Sequence, residues 1–396
     1  MKKIALLLCI ASQIAFGQDK SQKLAQKFII TDGHVDLPYR LKVKNFQLDR
    51  EYLGIPVESK DGDFDFKRAK AGGLNAPFMS IYIPASYSPA GGKVLADSLI
   101  NMVNYIANGK SKYFQVAKSP SDVRKIVKKG RIALPMGMEN GSPIATLDDV
   151  TYFKKRGISY ITLTHSKYND LGDSSYDTTK YWNGLSPFGY EVVKKMTEEG
   201  IMIDISHVSD STFYDVMAVT PVPVIASHSS LRHFTPGFER NMTDEMVKMM
   251  KDNGGVIMIN FGSTFVDGDV ADKRNSDRKK LQEILEKEGH DFRDEAAKPL
   301  IEAFLKENPS AFADIAIVVE HIDRVVKLAG VDHVGFGSDF DGVGDSLPTG
   351  LKDVADYPNI LKLLLEKGYS ESDIEKICSG NLFRVWQQVI DYAASH

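Results

Sequence analysis

Short apolar runs of strand type recur along this chain, and between them lie segments whose apolar residues repeat at helical spacing. The first run, Lys27-Phe28-Ile29-Ile30, leads into Asp32-Gly33-His34-Val35-Asp36 and stops at Leu37-Pro38, where proline cannot continue a central strand. Seven more follow: Leu74 to Pro84, Arg131 to Glu139, Ile158 to Thr164, Ile201 to Ser206, Pro223 to Ser227, Val256 to Phe261 and His333 to Ser338. The spacing predicts helices over Asp65 to Ala71, Ala96 to Ala107, Ser121 to Lys129, Leu147 to Arg156, Gly189 to Glu199 and Ser211 to Val219. Thr243, followed by Asp244 and Glu245, reads as the N-cap of another, ending at Gly254-Gly255. A charged helical stretch covers roughly 277–328, and a helix pair at about 355–367 and 372–392 closes the chain.

Eight strands, each followed by helix, predict a parallel (β/α)8 TIM barrel with a helical excursion before the last strand. A doubly wound open sheet would want a glycine-rich phosphate turn after the first strand, and none is present. Active sites of such barrels lie at the carboxyl ends of the strands. Asp36, Glu139, His165, His207, His228 and Asp339 all fall there.

Composition narrows the setting. Met1-Lys2-Lys3, an apolar run over Ile4 to Phe16 and the small residues Ala15 and Gly17 are the pattern of a secretory signal over residues 1–17, cleaved near Gly17. Residues 18–396 then form one barrel domain, exported to the periplasm or secreted. The apolar run is shorter than the ~20 residues a membrane-spanning helix needs, and no later segment comes closer. Loss of Lys2 and Lys3, with no acid, moves the net charge from −4 to −6, which argues against a nucleic-acid partner. Cys9 leaves with the signal, so Cys378 remains without a disulfide partner and the core alone must hold the fold. Oligomeric state is open, with a homodimer among the options.

His34 and Asp36 stand two residues apart on a strand and project from one face. With Glu139, His207 and His228 they make a nitrogen and oxygen donor set that suits Zn²⁺ and tolerates Mn²⁺ or Co²⁺. Five side chains exceed what one catalytic zinc takes, and two ions sharing a carboxylate resolve the count. Glu139 is the natural bridge: His34, Asp36 and Glu139 for one ion, Glu139, His207 and His228 for the other. Two ions about 3.5–4 Å apart holding a bridging hydroxide make metal-assisted hydrolysis the expected chemistry.

Asp32-Gly33-His34-Val35-Asp36-Leu37-Pro38, Gly137-Met138-Glu139-Asn140-Gly141, Leu163-Thr164-His165, Asn183-Gly184-Leu185-Ser186-Pro187-Phe188-Gly189, Asp204-Ile205-Ser206-His207-Val208-Ser209, Ser227-His228-Ser229-Ser230, Arg240-Asn241 and Gly337-Ser338-Asp339-Phe340-Asp341-Gly342 together resemble the membrane dipeptidase family, in order, from about residue 28 to 385. The resemblance implies a zinc-dependent barrel that hydrolyses dipeptides, including those with a D-residue at the C-terminal position, and in some members β-lactams. It gives the five donors the ligand roles above, His165 the substrate or oxyanion, Arg240 the substrate carboxylate and Asp339 the proton shuttle. Each role is physically apt: a guanidinium fork matches a carboxylate, an aspartate carries protons between water and leaving amine, and a non-ligating histidine donates to an oxyanion.

One departure stands out: the family often places tyrosine hydroxyls after the seventh strand, where this chain has Phe261-Gly262-Ser263-Thr264-Phe265. Asp204 and Asp341 read as supporting or turn residues, and His233, His290, His321 and His333 as histidines without a site role. The Lys/Glu-rich run 273–307 reads as a solvated helical excursion, with a lid as the other option. Two rivals remain at this point. Another binuclear amidohydrolase would usually open with H-x-H and bridge through a lysine, unlike His34-Val35-Asp36. A non-catalytic periplasmic peptide-binding barrel would have no need of Asp339 beside a full ligand set.

Overall fold

Residues 20–43, 57–87 and 89–396 are described in a computed structural model of the chain; the expected signal segment lies outside them. The strands, numbered in chain order, are β1 (Ile30–Val35), β2 (Leu74–Tyr82), β3 (Phe114–Val116), β4 (Ile132–Leu134), β5 (Met136–Glu139), β6 (Ile158–Thr162), β7 (Met202–Asp204), β8 (Ile225–Ala226), β9 (Val256–Ile259) and β10 (Val334–Phe336). Eight of them pair in parallel in the order β1-β2-β5-β6-β7-β8-β9-β10. The ends of that sheet meet where Asp339 N donates to His34 O (3.1 Å), Asp36 N donates to Phe340 O (2.8 Å) and Val35 bridges Phe340. The expected (β/α)8 barrel is therefore the fold.

Alternation along the strands sorts the side chains into two packed shells. Inward positions Ala76, Phe78, Tyr160, Met202, Ile225 and Met258 fill the barrel together with Trp386 of the terminal helix Asn381–Ser395. Outward positions such as Met79, Ile81, Ile161 and Ile257 pack under the surrounding helices. Gly137 of β5 has a packing reason to be glycine: a Cβ there would lie about 2 Å from the Tyr160 ring, at 2.0 Å from Cζ. Four helices end on a left-handed glycine, Gly73, Gly157, Gly200 and Gly254, each followed within two residues by β2, β6, β7 or β9.

Several expected boundaries move, for physical reasons. Lys27-Phe28-Ile29 precede β1 instead of forming it; residues 20–27 are helical, with Leu24, Ala25 and Phe28 buried at helical spacing. The single run Arg131 to Glu139 divides at Pro135, which has no N–H for a ladder: Ile132–Leu134 pairs with β3, and Met136–Glu139 enters the barrel. The charged stretch before β10 is three helices, Gly268–Lys287, Lys298–Glu307 and Ile315–Ala329. The last joins the main core along its length and the first touches it at Val270; the first two share a small core of their own around Leu281, Leu285 and Ala297. Among the described residues no helix is long and apolar enough to cross a membrane.

His321 has a structural task that the sequence did not reveal. It is fully buried on Ile315–Ala329, accepts from Leu231 N at Nδ1 (3.1 Å) and donates from Nε2 to Val266 O (2.9 Å). Burial pushes its pKa down to about 4, against the opposing pull of the Val266 carbonyl. The unfolded chain, with its histidine near the ordinary 6.5, takes the proton first as pH falls, so stability present above pH 6.5 is lost on the way to pH 4. The loss from this residue reaches about 2 kcal/mol at pH 5. Urea unfolding of wild type and His321→Gln should therefore show a stability gap that narrows by about that amount between pH 7 and pH 5; a gap equal at both pH values would refute the assignment.

Candidate metal centre

The expected residues arrive at the carboxyl mouth from six strands, β1 supplying two of them. His34 lies within β1 and Asp36 just past it, Glu139 ends β5, His165 follows β6, His207 follows β7, His228 follows β8 and Asp339 follows β10. Three of these turns hold a non-glycine residue at positive φ: Asn140 (82°) beside Glu139, His207 (67°) and Asp339 (64°). Asn, Asp and His tolerate this left-handed region better than most residues, and surrounding hydrogen bonds keep them there. Ser175 N, for example, donates to His207 O (2.8 Å), and Gly342 N to Asp339 O (3.0 Å).

The Glu139 carboxylate stands at the centre, buried, with its two oxygens facing different partners. Oε2 lies 3.3 Å from His34 Nε2, while Oε1 lies 3.1 Å from His207 Nε2, 3.3 Å from His228 Nε2 and 3.5 Å from His165 Nε2. Asp36 Oδ2 is 3.4 Å from His34 Nε2. Three donor groups have all their ligand atoms within 4.8 Å of one another: His34 with Glu139 and His228, Glu139 with His165 and His207, and His34 with Asp36 and Asp339. His165 thus stands nearly as close to Glu139 as the expected ligands do. Arg240 is also buried: Nη1 donates to Ser229 Oγ (2.8 Å) and Nη2 to His228 O (2.7 Å), while Nε has no partner.

Burial alone would raise the Glu139 carboxyl, yet His34, His165, His207 and His228 around it hold it well below its ordinary value. Desolvation, helped by Arg240, pushes His207 and His228 well below the usual histidine range, the neutral state a metal ligand needs. His34 goes the other way: burial opposes its protonation, but Tyr160, Glu139 and Asp36 outweigh it. Burial and the Asp36 carboxylate raise Asp339 to about 7, with Asn260 Nδ2 donating to its Oδ2 at 2.8 Å.

Residues behind the histidines, which the sequence did not single out, decide which ring nitrogen faces the site. Tyr160 OH donates to Gly33 O (3.0 Å), so it accepts from His34 Nδ1–H (2.9 Å) and turns Nε2 toward Glu139. Ser227 Oγ donates to Asp204 Oδ2 (2.6 Å) and accepts from His228 Nδ1–H (2.7 Å), with the same result. Asp204 also takes Thr162 Oγ1 (2.5 Å), as befits the supporting residue it was expected to be. Asp341 pairs with Arg40 Nε (2.7 Å) and accepts from Asp63 N (2.8 Å), tying the β10 loop to the segment after β1. His233, His290 and His333 stay out of the cluster. The hydroxyls missing after β9 have counterparts elsewhere: Tyr176 lies 5.8 Å from the His207 ring and Tyr82 4.7 Å from the His165 ring. Tyr82 ends β2 and Tyr176 lies in the loop after β6, both far in sequence from the segment after β9, so nothing in the sequence pointed to them.

The residues fit a cation. His34 Nε2 and Asp36 Oδ1 are buried with no hydrogen-bond partner, and His207 Nε2 and His228 Nε2 face each other at 2.9 Å. Lone pairs so close repel unless a proton or a metal ion lies among them. The model of the family "Membrane dipeptidase (Peptidase family M19)" matches residues 18–396. This chain belongs to the membrane dipeptidase family. It is accordingly a metallo-dipeptidase, a hydrolase of peptide bonds, and the other amidohydrolase barrels and a non-catalytic binding barrel are set aside.

Among its relatives is the dipeptidase tcpJ of Claviceps purpurea, 30% identical over 377 residues that span 92% of this chain and 78% of the relative. Solved structures share the fold. The probable dipeptidase PvdM of Pseudomonas aeruginosa superposes with a TM-score of 0.79 at 24% identity, covering 96% of this chain and 99% of its own. A metallo peptidase of Rhodobacter sphaeroides, liganded with a phosphinate mimic of the dipeptide L-Ala-D-Ala, gives 0.75 at 23%, covering 91% and 99%.

Removing the Tyr160 hydroxyl tests how much orientation of His34 matters in a metallo-dipeptidase. Tyr160→Phe should weaken metal binding by about 10–100-fold in competition with a chromogenic chelator, while circular dichroism shows an intact fold; unchanged affinity would rule out the orienting role.

Proposed function

We propose that this chain is a zinc dipeptidase that holds two ions between His34, Asp36, Glu139, His207 and His228 and acts on dipeptides with a free C-terminal carboxylate. The observation that carries the proposal is the division of the Glu139 carboxylate, one oxygen toward His34 and the other toward His207 and His228. That division suits a bridging ligand, with His34, Asp36 and Glu139 on one ion and Glu139, His207 and His228 on the other. An imidazole and carboxylate donor set suits zinc. When bound, the ions supply a nucleophile from water at neutral pH and polarise the scissile carbonyl.

The chain's own residues do the rest. Arg240, desolvated and with donors to spare, takes the substrate carboxylate in a charge-assisted contact. Asp339, with a pKa raised to about 7, accepts the proton from the attacking water and returns it to the leaving amine. His165 donates to the developing oxyanion. The site is dry and preorganised, with Arg240 and Asp339 nine-tenths buried and His165 only a little more open. The signal-like residues 1–17 support export, and the exported enzyme would act outside the cytoplasm.

Hydrolysis of a broad dipeptide panel, L-L and L-D, with a β-lactam included, tests the activity. Turnover should depend on added Zn²⁺ and vanish with a chelator; a panel left wholly untouched would sink the reading. Glu139→Gln should lower bound metal toward one or zero ions per chain, read by elemental analysis, and an unaltered stoichiometry would count against the bridge. Arg240→Ala should raise KM for dipeptides by about 100-fold, the equivalent of a lost charged hydrogen bond of about 3 kcal/mol. The same variant should change little for substrates whose C-terminal carboxylate is masked; equal effects on both would contradict the clamp.

A further inference from the structure

Beside the metal centre opens a groove of about 1170 Å³, between the barrel mouth and the helices Gly268–Lys287 and Lys298–Glu307. Sites of ~300–1,000 Å³ already hold drug-sized ligands, so this space exceeds what a small dipeptide fills. Its inner end is a collar of Tyr176, Phe238 and Phe265, with ring centroids 5.9 Å apart across both the Tyr176–Phe238 and Phe238–Phe265 contacts. The collar touches the catalytic residues on two sides. Tyr176 lies 5.8 Å from the His207 ring, and the Arg240 guanidinium sits 5.8 Å over the Phe265 ring. Further out the groove is lined by Phe234, Phe292 and Phe304. Phe292 is 40% exposed, a large apolar surface left facing solvent.

The geometry points to this groove as the pocket for the side chain of the substrate's C-terminal residue, selecting dipeptides in which that side chain is large and apolar. The inference rests on Arg240 as the partner of the substrate carboxylate. With the carboxylate at Arg240, the C-terminal Cα lies within reach of the Phe265 ring, and its side chain has the collar as its nearest apolar surface. A small side chain leaves the aromatic walls wet, whereas an extended aromatic one covers them and gains burial at about 25 cal/mol per Å². Four acids line the groove, Asp267, Asp269, Asp272 and Asp277, against two cations, Arg274 and Arg278, and Arg274 already donates to Ala311 O and Asp345 O, so the net charge of the walls disfavours a carboxylate-bearing side chain. The walls come from Tyr176 after β6, Phe234 to Phe238 after β8, Thr264 to Val266 after β9, the start of Gly268–Lys287 and the satellite core, and none of these lining residues is itself a metal donor. Selectivity can therefore vary without disturbing the chemistry.

The test uses the full chain with Zn²⁺ and four substrates: Ala-Ala, Ala-Phe, Ala-(2-naphthyl)alanine and Ala-Glu. From Ala-Ala to the naphthyl substrate kcat/KM should rise by about tenfold or more, with Ala-Glu no better than Ala-Ala. Phe238→Ala and, at the exposed outer end where folding is not at stake, Phe292→Ser should each reduce the ratio of naphthyl to Ala-Ala kcat/KM by about fivefold or more. A flat ratio in wild type, or an undiminished ratio in both variants, overturns the groove while leaving a working dipeptidase. Faster cleavage of Ala-Ala-Phe than of Ala-Phe would assign the groove to a continuing peptide and also overturn the proposal. Absence of turnover on every substrate would instead remove the dipeptidase reading, and the groove assignment with it.

Discussion

A carboxylate sealed inside protein has to be compensated, and the structure around the barrel mouth follows from how Glu139 is. Moving such a group from water to a low-dielectric interior costs several kcal/mol, and it stays ionised only where cations or strong donors surround it. Here four imidazoles stand within 3.1–3.5 Å of its oxygens. Imidazoles alone give an awkward solution: His207 and His228 meet nitrogen to nitrogen, and neither is held protonated. A cation shared among them removes both difficulties, which is why the buried acid and the paired histidines make sense only together.

That requirement reaches outward through the residues that fix each ring. Tyr160 rises from the barrel interior to His34, and it fits there because Gly137 on the neighbouring strand has no side chain. Asp204 gathers Thr162, Ser206 and Ser227 from three consecutive strand ends, and Ser227 passes the orientation on to His228. Asp32 does the corresponding work at the closure of the sheet: its Oδ1 accepts from His34 N (2.9 Å) and Ser338 N (3.0 Å), and Tyr357 OH donates to Oδ2. Asp32 and Asp204 each accept at Oδ1 from the N–H two residues further on, so two buried acids brace two turns by the same device. Backbone strain is concentrated here as well. His207 and Asp339 occupy left-handed conformations that the flanking hydrogen bonds make the only available ones.

This arrangement explains why the chain was readable where it was. A parallel barrel buries both faces of its strands, so the strands show up as apolar runs, and the mouth-facing donors must then sit at their ends. His34, Glu139, His207 and His228 could be found because polar residues of that type at the end of an apolar run have few other uses. Lys27 to Ile29 misled because a short apolar segment has no periodicity to separate helix from strand. Pro135 was a visible breaker inside an apparent strand, but not a sign that its two halves belong to different sheets. Tyr160 was hidden for a different reason. In sequence it is one more aromatic in a buried run, and its link to His34, 126 residues away, exists only once β1 and β6 face each other across the barrel.

The excursion before β10 obeys other constraints. Gly268–Lys287 buries only Leu281 and Leu285 in its 20 residues, and Lys298–Glu307 buries none, so their packing energy is small and mostly internal. The barrel and its mouth, by contrast, are joined by ladders, buried acids and a continuous core. A mutation in the helices therefore disturbs few contacts beyond the groove they border, while one at Tyr160, Asp204 or Gly137 reaches the ring of His34 or His228 within one or two contacts. Chemistry held by the stiff part and selectivity by the loosely attached part is what lets one barrel keep its reaction as its walls change. The aromatic collar of Tyr176, Phe238 and Phe265 is where the two parts touch, and because it sets the Phe265 ring 5.8 Å from the Arg240 guanidinium, a shift in the walls is felt first at that buried cation.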